Sequence, residues 1–261
     1  LQNGENVLAL EVFPPETGDL SIGFVDWNPW PPDQNMGIWR TVKLLKTGAV
    51  SLKNVFVKPE LNVETLKTAS LTVSAEITNH SPEPVSGRAD IEIKDISLHQ
   101  EFALQPNETR KLYFCPSDYP DLNLSNPRIW WPVHLGEPHL YIMTMRVMHA
   151  EQLSDRISVR FGIRHVEDYF NKNGHRGFRI NGKDVLIKGA GWVDDLFLDD
   201  SDEKVQHQIR YVKHMNLNTI RLEGFWGRNQ TIYDCADEHG ILVMIGWSCH
   251  WEWEGYCGRP E

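Results

Sequence analysis

The sequence predicts a multidomain β plus α/β fold, with β structure through residue 164 and alternating strand and helix beyond it. Three observations carry this prediction. Apolar residues alternate with period two, as in Thr72-Val-Ser-Ala-Glu-Ile-Thr78. Turn formers such as Ser81-Pro-Glu-Pro84 and Pro116-Ser-Asp118 separate the short runs. After residue 165 the period changes, and apolar positions recur at helical spacing between short apolar strands.

Residues 1–48 read as short strands. Glu5-Asn-Val-Leu-Ala-Leu-Glu-Val-Phe13 is a β run ended by Pro14-Pro15, and Gly37-Ile-Trp-Arg-Thr-Val-Lys-Leu-Leu45 is another. Between them Asp26-Trp-Asn-Pro-Trp-Pro-Pro32 is loop, because proline removes donors and clashes with the preceding turn. Two or three strands cannot bury a core alone, so this segment is expected to end a larger β domain. The start at Leu1, with no methionine and no signal peptide, and the stop at Glu261 are expected of a piece of a longer chain.

Residues 49–164 read as a complete β domain. Strands are expected at 50–58, 68–79, 87–96, 99–104, 109–115 and 140–150, with 154–163 closing. About seven short strands in about 115 residues predict an immunoglobulin-like sandwich, although no Cys–Trp–Cys signature is present.

Residues 165–261 read as β/α units. Phe178-Arg-Ile-Asn-Gly-Lys183 is a hairpin turning at Asn181-Gly182, followed by an expected buried strand, Val185-Leu-Ile-Lys-Gly189. Ser201 is a helix N-cap with acids behind it, and Val205, Ile209, Val212 and Met215 form the apolar stripe. A strand at 218–223, a helix at 230–239 stopped by Gly240, and a strand at 241–247 complete the series. Such alternation builds a parallel sheet, here the first strands of a (β/α)8 barrel.

Composition narrows the function. The 261 residues are 41% hydrophobic and 24% charged, which is globular. Lys+Arg number 26 against 36 Asp+Glu, a formal net charge of −10, which disfavours nucleic acid as a partner. No apolar run reaches the roughly 18 residues of a membrane span, so no membrane partner is expected. Neither a dinucleotide fingerprint nor a phosphate-binding P-loop occurs. Cys235, His239, Cys249, His250 and Cys257 lie close in sequence, but without the tight pairs of structural zinc sites. No metal and no cofactor is expected.

The chemistry gathers where barrel enzymes keep it, at the carboxyl ends of the parallel strands. Gly191-Trp-Val-Asp-Asp195 follows the first strand, Arg221-Leu-Glu-Gly-Phe-Trp226 the second, and Trp247-Ser-Cys-His-Trp-Glu-Trp-Glu254 the third. Each supplies a carboxylate and a tryptophan, and five of the 10 tryptophans fall in residues 192–253. Flat sugar C–H faces pack on Trp, and sugar hydroxyls suit carboxylate acceptors and Arg donors. The candidate carbohydrate-binding residues are Asp195, Arg221, Glu223, Trp247, Ser248 and Trp251. Bland readings stand beside them: Arg221 and Glu223, two apart on one strand, also suit a structural ion pair, and Asp194-Asp195 also suits the lead into a helix.

Taken in order, these motifs resemble glycoside hydrolase family 2, which contains β-galactosidases, β-glucuronidases, β-mannosidases and exo-β-glucosaminidases. The likeness rests on Asn3-Gly-Glu-Asn6, Gly37-Ile-Trp-Arg40, Trp130-Trp-Pro132 before Gly136-Glu-Pro-His-Leu-Tyr141, Phe161-Gly-Ile-Arg164, Phe178-Arg-Ile-Asn-Gly-Lys183 and Asp237-Glu-His-Gly-Ile-Leu-Val243. It implies that residues 1–48 end a jelly-roll-like sugar-binding sandwich, that 49–164 are the immunoglobulin-like sandwich, and that 165–261 open a (β/α)8 glycosidase barrel. Asp195-Leu-Phe-Leu198, Arg221-Leu-Glu-Gly224 and Gly246-Trp247…Trp253-Glu-Gly255 are most similar to the exo-β-glucosaminidase branch.

The family is retaining, with an acid/base Glu in an Asn-Glu pair after the fourth barrel strand and a nucleophilic Glu after the seventh. No Asn-Glu pair occurs beyond residue 165, and Asn107-Glu108 lies in the β domain. No catalytic residue is therefore assigned, and both are expected beyond residue 261, leaving this segment alone inactive. In the glucosaminidase branch an acid follows the Gly-Trp, where this chain has Ser248, so a neutral β-sugar suits the site at least as well as an amino sugar. The resemblance further implies a secreted or periplasmic setting. The expected parent is a β-glycosidase acting on terminal β-galactosides, β-mannosides or β-glucosaminides, the alternative being a non-catalytic carbohydrate-binding or structural module.

Overall fold

The computed structural model describes residues 4–13, 37–38, 42–193, 195, 200–222 and 230–245. Two compact units emerge: one is Leu44–Ile187 with Asp237–Ile241, and the other includes Lys188–Ala236 and the residues from Leu242 on.

The first unit is a sandwich of two antiparallel sheets. One holds β1 (Val50–Leu61), β2 (Thr68–Asn79) and β5 (Thr109–Phe114), with the short β6 (Asn123–Ser125) sharing β2's second edge. The other runs β4 (Ile96–Leu104), β3 (Val85–Ile93), β7 (Tyr141–His149), β8 (Gln152–Phe161). Along β2 every second residue from Ala69 to Asn79 is buried, the pattern of a strand with one face on a core. Leu71, Val73 and Ile77 of β2 and Phe114 of β5 are fully buried, as are Ile91 of β3 and Met143 and Met145 of β7. Each such side chain contributes about 1.5–3 kcal/mol by leaving water. In β1, Asn54 and Val55 together oppose a single residue of β2, a bulge eased by Asn54's φ of 52°.

Open sheet edges invite unwanted pairing, and here two edges are stitched together. Ser154 of β8 donates its hydroxyl to the Val50 carbonyl at 2.7 Å and accepts from the Val50 amide at 2.8 Å. The adjacent Asp155 Oδ2 accepts from the Leu52 amide at 2.7 Å. At this same end of β2, where Asn79 pairs with Val50, fully buried Asn79 donates its amide to the carbonyls of Glu83 and Gln105 and accepts from the Ser81 amide. A cleft of about 610 Å³ opens at one end of the sandwich, between residues 93–96, 124–128 and 139–142.

A second small sheet, β9 (Val166–Phe170), β10 (Arg176–Ile180) and β11 (Lys183–Val185), follows in the same unit. Its β10–β11 turn is the expected Asn181-Gly182, with φ of 51° and 77°, as a type I′ turn needs. Asn181 does more than turn the chain: it accepts from the His165 amide and donates to the Trp130 carbonyl. Trp130, 1% exposed, donates its indole N–H to the Asp237 carbonyl at 2.8 Å, with the Arg164 guanidinium 4.6 Å above its ring.

The second unit carries the parallel sheet. β12 (Gly189–Trp192), β13 (Thr219–Leu222) and β14 (Leu242–Ile245) pair in that order, joined by α1 (Asp202–His214) and α2 (Thr231–His239). The Ser201 hydroxyl accepts from the Lys204 amide at 3.2 Å, the N-cap the sequence announces. Val205, Ile209 and Val212 are buried, whereas Met215, read as part of the same stripe, lies past the helix end and is 44% exposed. Asn218 aligns the strand beginnings: its side chain accepts from the Lys188 amide, and its carbonyl from the Leu242 amide.

Two expectations fail. Residues 5–13 form no ladder and are exposed, and the described residues of 37–45 form none either, because among the described residues no strand pairs with them. The run from Val185 is not a buried strand. Val185 pairs back onto Phe178, Leu186 is 77% exposed, and the parallel ladder starts only at Gly189. Finally, β6 and β9 were not read from the sequence.

Candidate functional site

The parallel ladder sets the site's frame. Gly191, Arg221 and Met244 are level with one another, and so are Trp192, Leu222 and Ile245. All three strands therefore end at one edge, where the three motif clusters begin.

Alternation then decides which side chains share a face. Ile220 and Leu222 are buried, while Arg221 between them is exposed, so Arg221 projects from the opposite face of the sheet. Its neighbours on that face are Gly191, which has no side chain, and Met244. Gly191 thus leaves room beside the guanidinium. Gly189 serves the ladder itself, since a Cβ there would lie 2.1 Å from the Thr219 carbonyl oxygen.

Trp192 falls on the other face, level with Leu222. It lines a cleft of about 490 Å³ with Gln208, Tyr211 and Val212 of α1. Parity thus places the first cluster's tryptophan with the helix and not beside Arg221.

Asp195 lies three residues beyond β12, and its carboxylate is held. Lys204, in the first turn of α1, donates Nζ to Asp195 Oδ2 at 3.0 Å and to Asp200 Oδ1 at 2.8 Å. Asp200 Oδ2 accepts the Asp195 amide at 3.1 Å. The Asp200 side chain is 6% exposed, so the lysine neutralises a carboxylate that could not stay charged and buried alone. The hydrogen bond to Asp200 is the main cause raising Lys204 above the ordinary lysine range, with desolvation opposing it and Asp195 adding to it. The ammonium is thus fixed in its charged form at neutral pH.

Lys204 and Asp200 were not singled out by sequence reasoning, which read 201–204 only as a helix start. The available signal was the i, i+4 spacing of Asp200 and Lys204 directly after an acidic strand end. Glu223, Trp247, Ser248 and Trp251 lie outside the described residues. Of the close-set cysteines and histidines, Cys235 is buried on α2, while Cys249, His250 and Cys257 lie outside the described residues. Among the described residues no group of three or more His, Cys, Asp or Glu could hold a metal, and no helix is long and apolar enough to cross a membrane.

Known proteins share this sequence and architecture. Residues 50–164 match the family model of glycosyl hydrolases family 2. An exo-β-D-glucosaminidase from Streptomyces avermitilis is 38% identical over 256 residues, which is 98% of this chain and 28% of that protein. Its counterpart from Amycolatopsis orientalis is 36% identical over 100% of this chain and 25% of its own length. The crystal structure of the Amycolatopsis orientalis exo-chitosanase superposes with a TM-score of 0.84 at 34% identity, over 93% of this chain and 28% of that one. A mannosylglycoprotein endo-β-mannosidase from Lilium longiflorum is 28% identical over 95% of this chain and 29% of its length. The chain thus spans about a quarter of the length of the relatives it matches. It belongs to glycosyl hydrolases family 2.

Proposed function

We propose that the whole protein carrying this chain is a retaining β-glycosidase that removes terminal β-linked sugars from glycans or polysaccharides. In this reading residues 1–48 end a sugar-binding sandwich, 49–164 form an immunoglobulin-like sandwich, and 165–261 open a (β/α)8 barrel. The observation that carries it is the level ending of β12, β13 and β14, which brings Asp195 and Arg221 to one edge of a parallel sheet. The relatives named exo-β-D-glucosaminidase, matched along nearly the whole chain, put β-D-glucosaminides first among candidate substrates. β-Mannosides and β-galactosides follow.

Each residue has a part. Arg221 donates to sugar hydroxyls, Asp195 and Glu223 accept from them or pair with an amino group, Trp247 and Trp251 pack on the ring, and Ser248 offers a hydroxyl. The acid/base and nucleophilic glutamates of a retaining site stand about 5–5.5 Å apart and lie outside these 261 residues. The 261 residues alone are therefore expected not to cleave a glycoside and to bind sugar weakly at best. Such an enzyme meets polysaccharide outside the cytoplasm, in a secreted or periplasmic setting.

The test is a panel of p-nitrophenyl β-D-glucosaminide, β-D-mannoside and β-D-galactoside offered to the whole protein. Release of nitrophenol from at least one, and none from the 261-residue segment, is expected. No release from any of the three by the whole protein would overturn the proposal.

A further inference from the structure

We infer that Lys204 is a positioning residue for sugar binding: its ammonium, anchored on buried Asp200, clamps the Asp195 carboxylate in place at the end of β12. The inference rests on the reading of Asp195 as a sugar ligand.

The geometry is that of a support rather than a surface ion pair. An exposed lysine on a helix swings through many rotamers, and pairs of that kind are worth little. Lys204 differs because one of its two carboxylate partners is buried. Asp200, at 6% exposure, cannot follow a wandering ammonium, so the ammonium stays where Asp200 is. The backbone agrees: the amide of Lys204 is bound to the Ser201 cap, and the amide of Asp195 is bound to the same Asp200 carboxylate that holds the lysine. Asp195 is thereby gripped twice, by its amide and by its Oδ2, from a single buried anchor.

This matters for a ligand on a loop. Asp195 lies three residues beyond the last ladder residue of β12, Trp192. Binding costs include the entropy of ordering such a side chain, and a pre-ordered carboxylate avoids that cost. A carboxylate offers about four lone-pair positions over two oxygens, so the lysine bond on Oδ2 and a sugar hydroxyl or ammonium are compatible.

The experiment compares wild type, Asp195→Asn, Lys204→Met, Lys204→Arg and the double variant Asp195→Asn/Lys204→Met in the whole protein. The probe is whichever p-nitrophenyl β-glycoside the wild type cleaves. Lys204→Met is expected to raise KM at least tenfold with kcat within about threefold, and Lys204→Arg to restore most of the loss. The double variant should be no worse than Asp195→Asn alone, because both act through one carboxylate. Should Lys204→Met not fold, Lys204→Gln/Asp200→Asn, which leaves no unpaired buried charge, carries the same expectation. A wild-type KM in the lysine variants, with Asp195→Asn impaired, would overturn the clamp alone. A wild-type KM in Asp195→Asn would instead overturn Asp195 as a sugar ligand, and with it the basis of the clamp.

Discussion

Replacing Asn79 by alanine removes more from the sandwich than its position at a strand end implies. The side chain is fully buried and makes three hydrogen bonds to backbone: 2.8 Å to the Glu83 carbonyl, 3.0 Å to the Gln105 carbonyl, and 2.8 Å from the Ser81 amide. At about 1 kcal/mol each, with some penalty for groups left unpaired, Asn79→Ala should cost about 2–4 kcal/mol. Peptide-level hydrogen exchange over the strands that pair around Asn79 reads this. Protection in β2 and β5 should fall by about 30- to 1,000-fold. Asn79→Asp sharpens the argument. Its carboxylate would face the two carbonyl oxygens that Asn79 Nδ2 now serves, so folding should raise its pKa above the unfolded value of about 3.9. A group raised in this way destabilises the fold when ionised. The excess cost over alanine should therefore be full near pH 7 and shrink as pH falls through the folded pKa. A loss of protection under threefold for Asn79→Ala, or an excess for Asn79→Asp that grows toward low pH, would show that these three hydrogen bonds do not hold the sandwich.

Two further outcomes follow from other parts of the chain. Gly189→Ala places a Cβ 2.1 Å from the Thr219 carbonyl oxygen, a backbone atom that cannot swing aside. It should cost about 1–3 kcal/mol and speed exchange at Arg221 and Leu222, while leaving the exchange of β2 unchanged. His139, in the cleft of the sandwich, is held below the ordinary imidazole range mainly by desolvation, with Arg128 and Lys94 adding repulsion. Its depressed folded pKa means that stability is complete above about pH 6.5 and is lost as pH falls from there toward the folded value. His139→Gln should flatten that acid slope in urea unfolding, and an unchanged slope would contradict the assignment.

Much of the fold was legible because period two and period 3.6 are strong signals in long elements. β2, with its unbroken alternation over Thr68–Asn79, is bounded as the sequence predicts, and α1 announces itself through Ser201, Val205 and Ile209. β6 was invisible because three residues cannot show a period. The Val185 run misled because a short apolar stretch reads equally as a buried strand and as a hairpin arm crossing to the next ladder. Residues 5–13 have partial alternation, yet a strand is made by its partner, which local sequence does not contain. In the site, position along the chain was readable and orientation was not. The sequence puts Trp192 and Arg221 both at strand ends; only the register, Gly191 opposite Arg221, shows that they face opposite ways. Lys204 was hidden for a related reason: its importance comes from the burial of Asp200, a tertiary property.

If these strand ends belong to a retaining β-glycosidase, the stereochemistry of the first product is fixed. Proton NMR of the whole protein acting on p-nitrophenyl β-D-glucosaminide, or on the panel sugar it prefers, resolves the anomer released before mutarotation. The β anomer is expected first, with the α anomer growing in later. The α anomer first, or no sugar released from any β-glycoside of the panel, would contradict it.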